Sequence, residues 1–161
     1  MVELFLKGAL TGPCLHTALQ DAISEDPYQR DDALIKLLLK YNADINYNEG
    51  AGLHAIIVQK DLGLLSSLMQ AASPQTAAAR IQDVMKVMDH RARYDMMAML
   101  FNARASVGVQ HVADALLATL SEKPVDMSLL HLILQQGRAD INALDGQILQ
   151  KAVQNPDPKV L

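Results

Sequence analysis

Leu34-Ile35-Lys36-Leu37-Leu38-Leu39-Lys40-Tyr41-Asn42-Ala43-Asp44-Ile45-Asn46 recurs, worn but legible, as Leu129-Leu130-His131-Leu132-Ile133-Leu134-Gln135-Gln136-Gly137-Arg138-Ala139-Asp140-Ile141-Asn142. Self-similarity on this scale outranks local propensity, because each recurrence must be one structural unit. In the first copy Leu34, Leu37, Leu38 and Tyr41 fall at i, i+3, i+4 and i+7, and Ile35 and Leu39 widen the stripe. That pattern predicts an interior helix, apolar on more than one side. Asp31 and Asp32 precede the run, where carboxylates cap free N–H groups and suit the positive end of the helix dipole. Asn42 ends it in the left-handed conformation that Gly and Asn tolerate best. Gly137 stands at the same point, so both copies are expected to stop by the same device.

Composition agrees with helices packed through small side chains. The chain has 161 residues, 4% aromatics and no Trp, with Ala, Leu and Met carrying most of the apolar content. A formal charge of −4 gives no electrostatic footprint for nucleic acid or an anionic membrane. Cys14 is the only cysteine and cannot form an internal disulfide, and neither a signal peptide nor an apolar run of transmembrane length occurs. A soluble chain in an intracellular, cytoplasmic setting is therefore expected.

Taken in order, Met1 to Leu10 reads as a short helix whose partner is missing. Leu15, Ala18, Leu19, Ala22 and Ile23 predict a helix over 15–23, Ser24 to Arg30 is a polar loop, and the organising helix covers 33–41. The link Tyr47 to Gly52 leads into helices near 53–59 and 63–70, and Ala71-Ala72-Ser73-Pro74 closes that unit. A third pair is read at 79–89 and 95–102, holding five of the eight methionines, with a basic bend His90-Arg91-Ala92-Arg93 between its helices. A fourth is read at 112–120 and 127–136, after the loop Ser121-Glu122-Lys123-Pro124. A fifth begins at Leu149. The fold class is all-α, with almost no strand.

The units resemble ankyrin repeats, a family built approximately on G-x-T-P-L-H-x-A-A-x-x-G-H-x-x-V-V-x-L-L-L-x-x-G-A-D-V-N. Leu34 to Asn46 is similar to the second half of that unit almost position for position. Gly12-Pro13-Cys14-Leu15-His16-Thr17-Ala18 and Gly50-Ala51-Gly52-Leu53-His54-Ala55 resemble its first half without the Thr-Pro, and Gly146-Gln147-Ile148-Leu149 keeps the Gly and Leu. Leu53 is followed at eleven residues by Leu64-Leu65, and Leu149 by Val160-Leu161, as the family's spacing requires. The resemblance implies an α-solenoid of stacked helix-turn-helix repeats: a half repeat over 1–11, repeats over about 12–46, 47–74, 75–107 and 108–142, and a partial repeat over 143–161. Two departures stand out. Leu15 to Leu34 spans 19 residues and Val112 to Leu129 spans 17, against eleven in the family, so the loops at 24–30 and 121–126 are enlarged. Ala43 to Leu53 and Ala139 to Leu149 each span 10 residues, which clips the family's projecting hairpin to a turn. Worn arrays of this kind resemble those of large fungal multidomain proteins.

The chemistry-bearing residues read mostly as structural. His16 and His54 occupy the family's Leu-His position, where the histidine fixes the turn between repeats. His111 and Asp114, at i and i+3, offer two metal ligands where structural zinc needs four. Cys14 and His16 have no assignable acid or oxyanion donor, and no phosphate-cradling loop or catalytic carboxylate pair occurs. No cofactor, metal or catalytic residue is expected, and the chain is not read as an enzyme. Arg80, Lys86, His90, Arg91 and Arg93 form a basic patch, read as a solvated loop with an anionic or phosphate-bearing partner as the sharper alternative. The methionine cluster reads as core filling or, alternatively, as an adaptable groove.

The expected function is a non-catalytic scaffold binding a protein partner on a concave face, the alternative being a regulatory or substrate-docking segment of a larger enzyme or signalling receptor. Second helices are expected to be committed to packing, which leaves the turns and the outer side of the first helices as the binding surface. Tyr47, Asn48, Glu49, Gln59, Leu144, Asp145, Gln150 and Gln154 are its candidate residues, and Tyr47 in a turn is expected to pack little core. Because the ends resemble incomplete repeats and Phe5, Leu6, Val153 and Val160 give no polar cap, a longer array or end-to-end self-association is expected.

Overall fold

The apolar stripes form helices close to where their periodicity puts them. The computed structural model describes residues 12–102, 109–137, 139–142 and 144–155, and the described residues are helices and turns without a strand. Phe5, Leu6 and Val160 lie outside them. The chain divides after Ala72 into two compact units.

In the first unit, α1 (Pro13–Ser24) starts with Pro at its first position, which suits a donor-free helix start, and buries Leu15, Leu19, Ala22 and Ile23. The organising stretch forms α2 (Asp32–Lys40), α3 runs over Tyr47–Gln59 and α4 over Leu62–Leu68. α1 packs against both α2 and α3, and α3 against α4. Gly52 permits the close approach of α3 to α1, since a Cβ there would lie 3.2 Å from Ile23 Cδ1. The expectation that α2 is interior is corrected: only Ile35 and Leu38 are buried, while Leu34, Leu37, Leu39 and Tyr41 are half-buried. Two positions three apart make one seam.

In the second unit, α5 (Pro74–Ala79) and α6 (Ile81–Met85) replace the single helix expected over 79–89. Ser73-Pro74 opens a helix rather than closing a unit, because the Ser73 hydroxyl accepts the Thr76 N–H at 3.1 Å and Pro74 takes the first helical position. The two pieces meet at Arg80 through i→i+3 bonds, Arg80 N–H to Ala77 and Asp83 N–H to Arg80. The expected basic bend is instead the first turn of α7 (His90–Asn102). α8 (Val109–Ser121), α9 (Met127–Gln135), a short 3₁₀ turn at Leu144–Gly146 and α10 (Gln147–Gln154) follow. α8 packs on α6, α9 and α10, and α7 on α6 and α9. Met96 and Met97 are fully buried, Met85 and Met99 half-buried and Met88 exposed, so the methionine cluster supplies core only in part.

The two copies stop differently. Asn42 is left-handed, with φ of 64°. Gly137 is not, and it is a glycine for another reason: a Cβ there would lie 2.5 Å from the Ile133 carbonyl and 3.0 Å from both Phe101 and Val112. Among the described residues no helix is long and apolar enough to cross a membrane.

Candidate functional site

The turns at Asn48–Gly50 and Leu144–Gly146 are left-handed. Asn48, Glu49 and Gly50 have φ of 51°, 56° and 75°, three consecutive residues in a region that L side chains pay roughly 1–2 kcal/mol each to enter. Leu144, Asp145 and Gly146 have φ of 59°, 52° and 77° at the matching positions. Each turn is entered the same way: Asp44 Oδ1 accepts the Asn46 N–H at 2.9 Å, and Asp140 Oδ1 accepts the Asn142 N–H at 2.8 Å. His16 Nδ1 accepts the Asp44 N–H at 2.9 Å, tying α1 to the first turn as the resemblance implied; Ala113 stands at the corresponding place on α8. His54 lies exposed on α3.

The candidate binding residues fall into two groups, one in each unit. Tyr47 is 36% exposed with its ring 5.4 Å from that of His16, so it packs on the residue that holds the turn rather than standing clear of the fold. Asn48 and Glu49 are exposed, and Asn48 Nδ2 donates to Gln20 Oε1 at 3.5 Å. In the second unit Asp145, Gln150 and Gln154 are exposed and Leu144 is half-buried. Gln59 is spent internally: its amide donates to the carbonyls of Ile23, Ser24 and Glu25 at 3.4, 3.4 and 3.0 Å, satisfying the open end of α1, and its oxygen accepts from Arg30. Asn155 does the same for α8, donating to the Leu120 carbonyl at 3.1 Å.

A second periodic device escaped the sequence reading. Asp31, Asp61, Asp89 and Asp126 each accept the N–H three residues on, from Leu34, Leu64, Ala92 and Leu129, at 3.1, 2.9, 2.9 and 3.0 Å. Helices α2, α4, α7 and α9 thus each begin on an aspartate cap. Two buried arginines bind these caps. The Arg30 side chain, 4% exposed, bonds Asp32 and Asp61. Arg93 grips Glu122 with two bonds of 2.6 and 2.9 Å and reaches Asp126 at 3.2 Å, with His90 Nδ1 3.0 Å from both its Nη2 and Asp126 Oδ2. Burial alone would push the Asp61 and Asp126 carboxyls up; the Leu64 N–H and Arg30 for the first, and the Leu129 N–H, His90 and Arg93 for the second, outweigh it and hold both below the usual carboxylate range. The solvated-loop reading of the basic patch is therefore corrected. Arg93 is a buried tie and Arg80 pairs with Asp83 at 3.1 Å, while Arg91 is exposed.

Second helices are not wholly given to packing either. In the first unit a cleft of about 480 Å³ opens along α2 and α4, where Asp32, Lys36, Asp61 and Gly63 border the aliphatic Ile35 and Leu39. In the second unit a cleft of about 380 Å³ opens at the starts of α7 and α9, lined by His90, Arg91, Tyr94, Asp126 and Ser128. Counted from the aspartate caps, His90 corresponds to Asp32, Tyr94 to Lys36 and Ser128 to Gly63. The same indentation is thus built twice with different chemistry. Among the described residues no group of His, Cys, Asp or Glu could hold a metal ion, and His111 and Asp114 have no third ligand. The chain matches no protein-family model, no curated protein and no solved structure.

Proposed function

We propose that this chain is an array of ankyrin-like helix pairs whose function is to bind a protein partner, without chemistry of its own. The observation that carries the reading is the left-handed turn built at both Asn48–Gly50 and Leu144–Gly146. A backbone conformation that costs energy at non-glycine residues persists where the surroundings over-determine it, and here it recurs in register with the same Asx turn before it and the same amide cap after the following helix. The packing of α3 on α1 and of α10 on α8 is what stacked first helices would give. Exposed residues on such turns sit on a rigid base and lose little entropy on binding, so Tyr47, Asn48 and Glu49 in the first unit, and Leu144, Asp145, Gln150 and Gln154 in the second, are the contact residues of this reading.

Tyr47 is the anchor it favours, being a partly exposed aromatic already oriented by His16. Tyr47→Ala is expected to cost about 1–2 kcal/mol of affinity for a partner captured from the native source. The lost contact with His16 is expected to cost less than about 1 kcal/mol of stability. A binding titration beside a thermal melt checks both; unchanged affinity in a folded variant removes Tyr47 from the interface.

A further inference from the structure

We infer that His16 is a proton-operated latch on the first left-handed turn, holding it while the imidazole is neutral and releasing it when the ring is protonated. The latch acts on a turn that the interaction reading also uses, but the test reads the turn itself, so the two stand or fall separately.

The chemistry of the bond sets the sign of the switch. The group facing His16 Nδ1, 2.9 Å away, is the backbone N–H of Asp44, which can only donate. Nδ1 must therefore keep its lone pair, and the proton of the neutral ring sits on Nε2. An imidazolium carries a proton on both nitrogens, so protonation sets a donor against a donor. Histidine changes its charge between roughly pH 5 and 8; the bonded form belongs to the alkaline end, and the tie is lost on acidification. Of the side chains that line the recess around His16, on α1, on α3 and in the turn before α3, only Asp44 and Tyr47 titrate. The Asp44 carboxylate is occupied with Asn46, accepting its N–H at 2.9 Å and its side-chain amide at 2.8 Å. A charged ring is attracted to that carboxylate and not to the N–H, which acts in the same direction. The Tyr47 ring, 5.4 Å away by centroids, can attract the cation as a π face, but no contact restores an acceptor to it. The turn that loses the tie is one with little to spare, since Asn48, Glu49 and Gly50 are all held at positive φ. The second unit supplies the contrast. Its turn has the same entry, Asp140 accepting the Asn142 N–H, yet Ala113 stands in the place of His16, so that position offers Asp140 no imidazole.

The test is an NMR titration of the full chain, labelled with ¹⁵N and ¹³C, from about pH 8 to about pH 5. At the alkaline end a scalar coupling across the hydrogen bond, between the Asp44 amide nitrogen and His16 Nδ1, is expected. On acidification the coupling disappears and the Asp44 amide shift follows the protonation of the His16 ring. Its exchange protection falls roughly two- to tenfold, the net contribution of one hydrogen bond. Asp140, Leu144 and Asp145 stay in place. His16→Asn puts a carbonyl oxygen near the position of Nδ1 and cannot titrate, so its Asp44 amide is expected to hold still over the same range. His16→Ala is expected to show, at the alkaline end, the Asp44 shift and protection that the parent reaches at the acid end. A proton on Nδ1 at the alkaline end, an Asp44 amide that does not follow His16, an equal response at Asp140, or a response that persists in His16→Asn would each overturn the assignment.

Discussion

Arg93→Ala is expected to remove about 3 kcal/mol of folding stability, the lower end of the range for breaking a buried pair, because both partner carboxylates keep some water. The Arg93 side chain is 5% exposed, and its loss would leave Glu122 and Asp126 facing each other with no cation between them. Asp126 also caps α9, so a carboxylate that reorients towards water releases the first turn of that helix as well. Urea denaturation at neutral pH is the measurement, with Arg91→Ala as the internal comparison. Two residues earlier on the same helix, Arg91 is exposed and has no ion pair among the described residues, and its truncation is expected to stay within about 0.5 kcal/mol. Equal effects of the two substitutions would return Arg93 to the solvated surface.

Gly137→Ala is expected to cost about 1–3 kcal/mol, towards the upper part of that range. The new methyl would meet the Ile133 carbonyl at 2.5 Å, and a backbone oxygen at the end of a helix cannot swing aside as a side chain can. Phe101 and Val112, each 3.0 Å from the same point, close the other directions. The cost is steric, not conformational, since the φ of Gly137 lies outside the left-handed region. Thermal unfolding should therefore show a lowered midpoint with intact helical signal, and a stability equal to that of the parent would mean that the approach of α9 to α7 and α8 is looser than described.

What the sequence made legible was what repeats at helical spacing. Leu15 to Ile23 was read correctly as a buried stripe, Leu53 onward as a helix, and Asp31 as a cap, because a stripe and a carboxylate before it are local signals. The turns were legible only as a length, ten residues from Ala43 to Leu53 and again from Ala139 to Leu149. Glu49, Leu144 and Asp145 announce no left-handed backbone, so the geometry could not be read from residue types. Arg30 and Arg93 were missed for a different reason. Asp61, Glu122 and Asp126 lie 29 to 33 residues from the arginines they bind, and a contact at that distance leaves no local mark in the sequence. The third pair misled because Arg80 interrupts an apolar stripe without breaking its period, and tightened i→i+3 turns leave no mark on spacing.

The proposed function rests on the two turns being copies of one device, and solution NMR of the ¹⁵N,¹³C-labelled chain tests that most directly. The backbone shifts and the intraresidue Hα–HN Overhauser effects of Asn48, Glu49, Leu144 and Asp145 report the sign of φ at each. Left-handed signatures at all four residues are predicted; an extended or right-handed backbone in either turn, with the other left-handed, would contradict the shared unit from which the interaction reading is drawn.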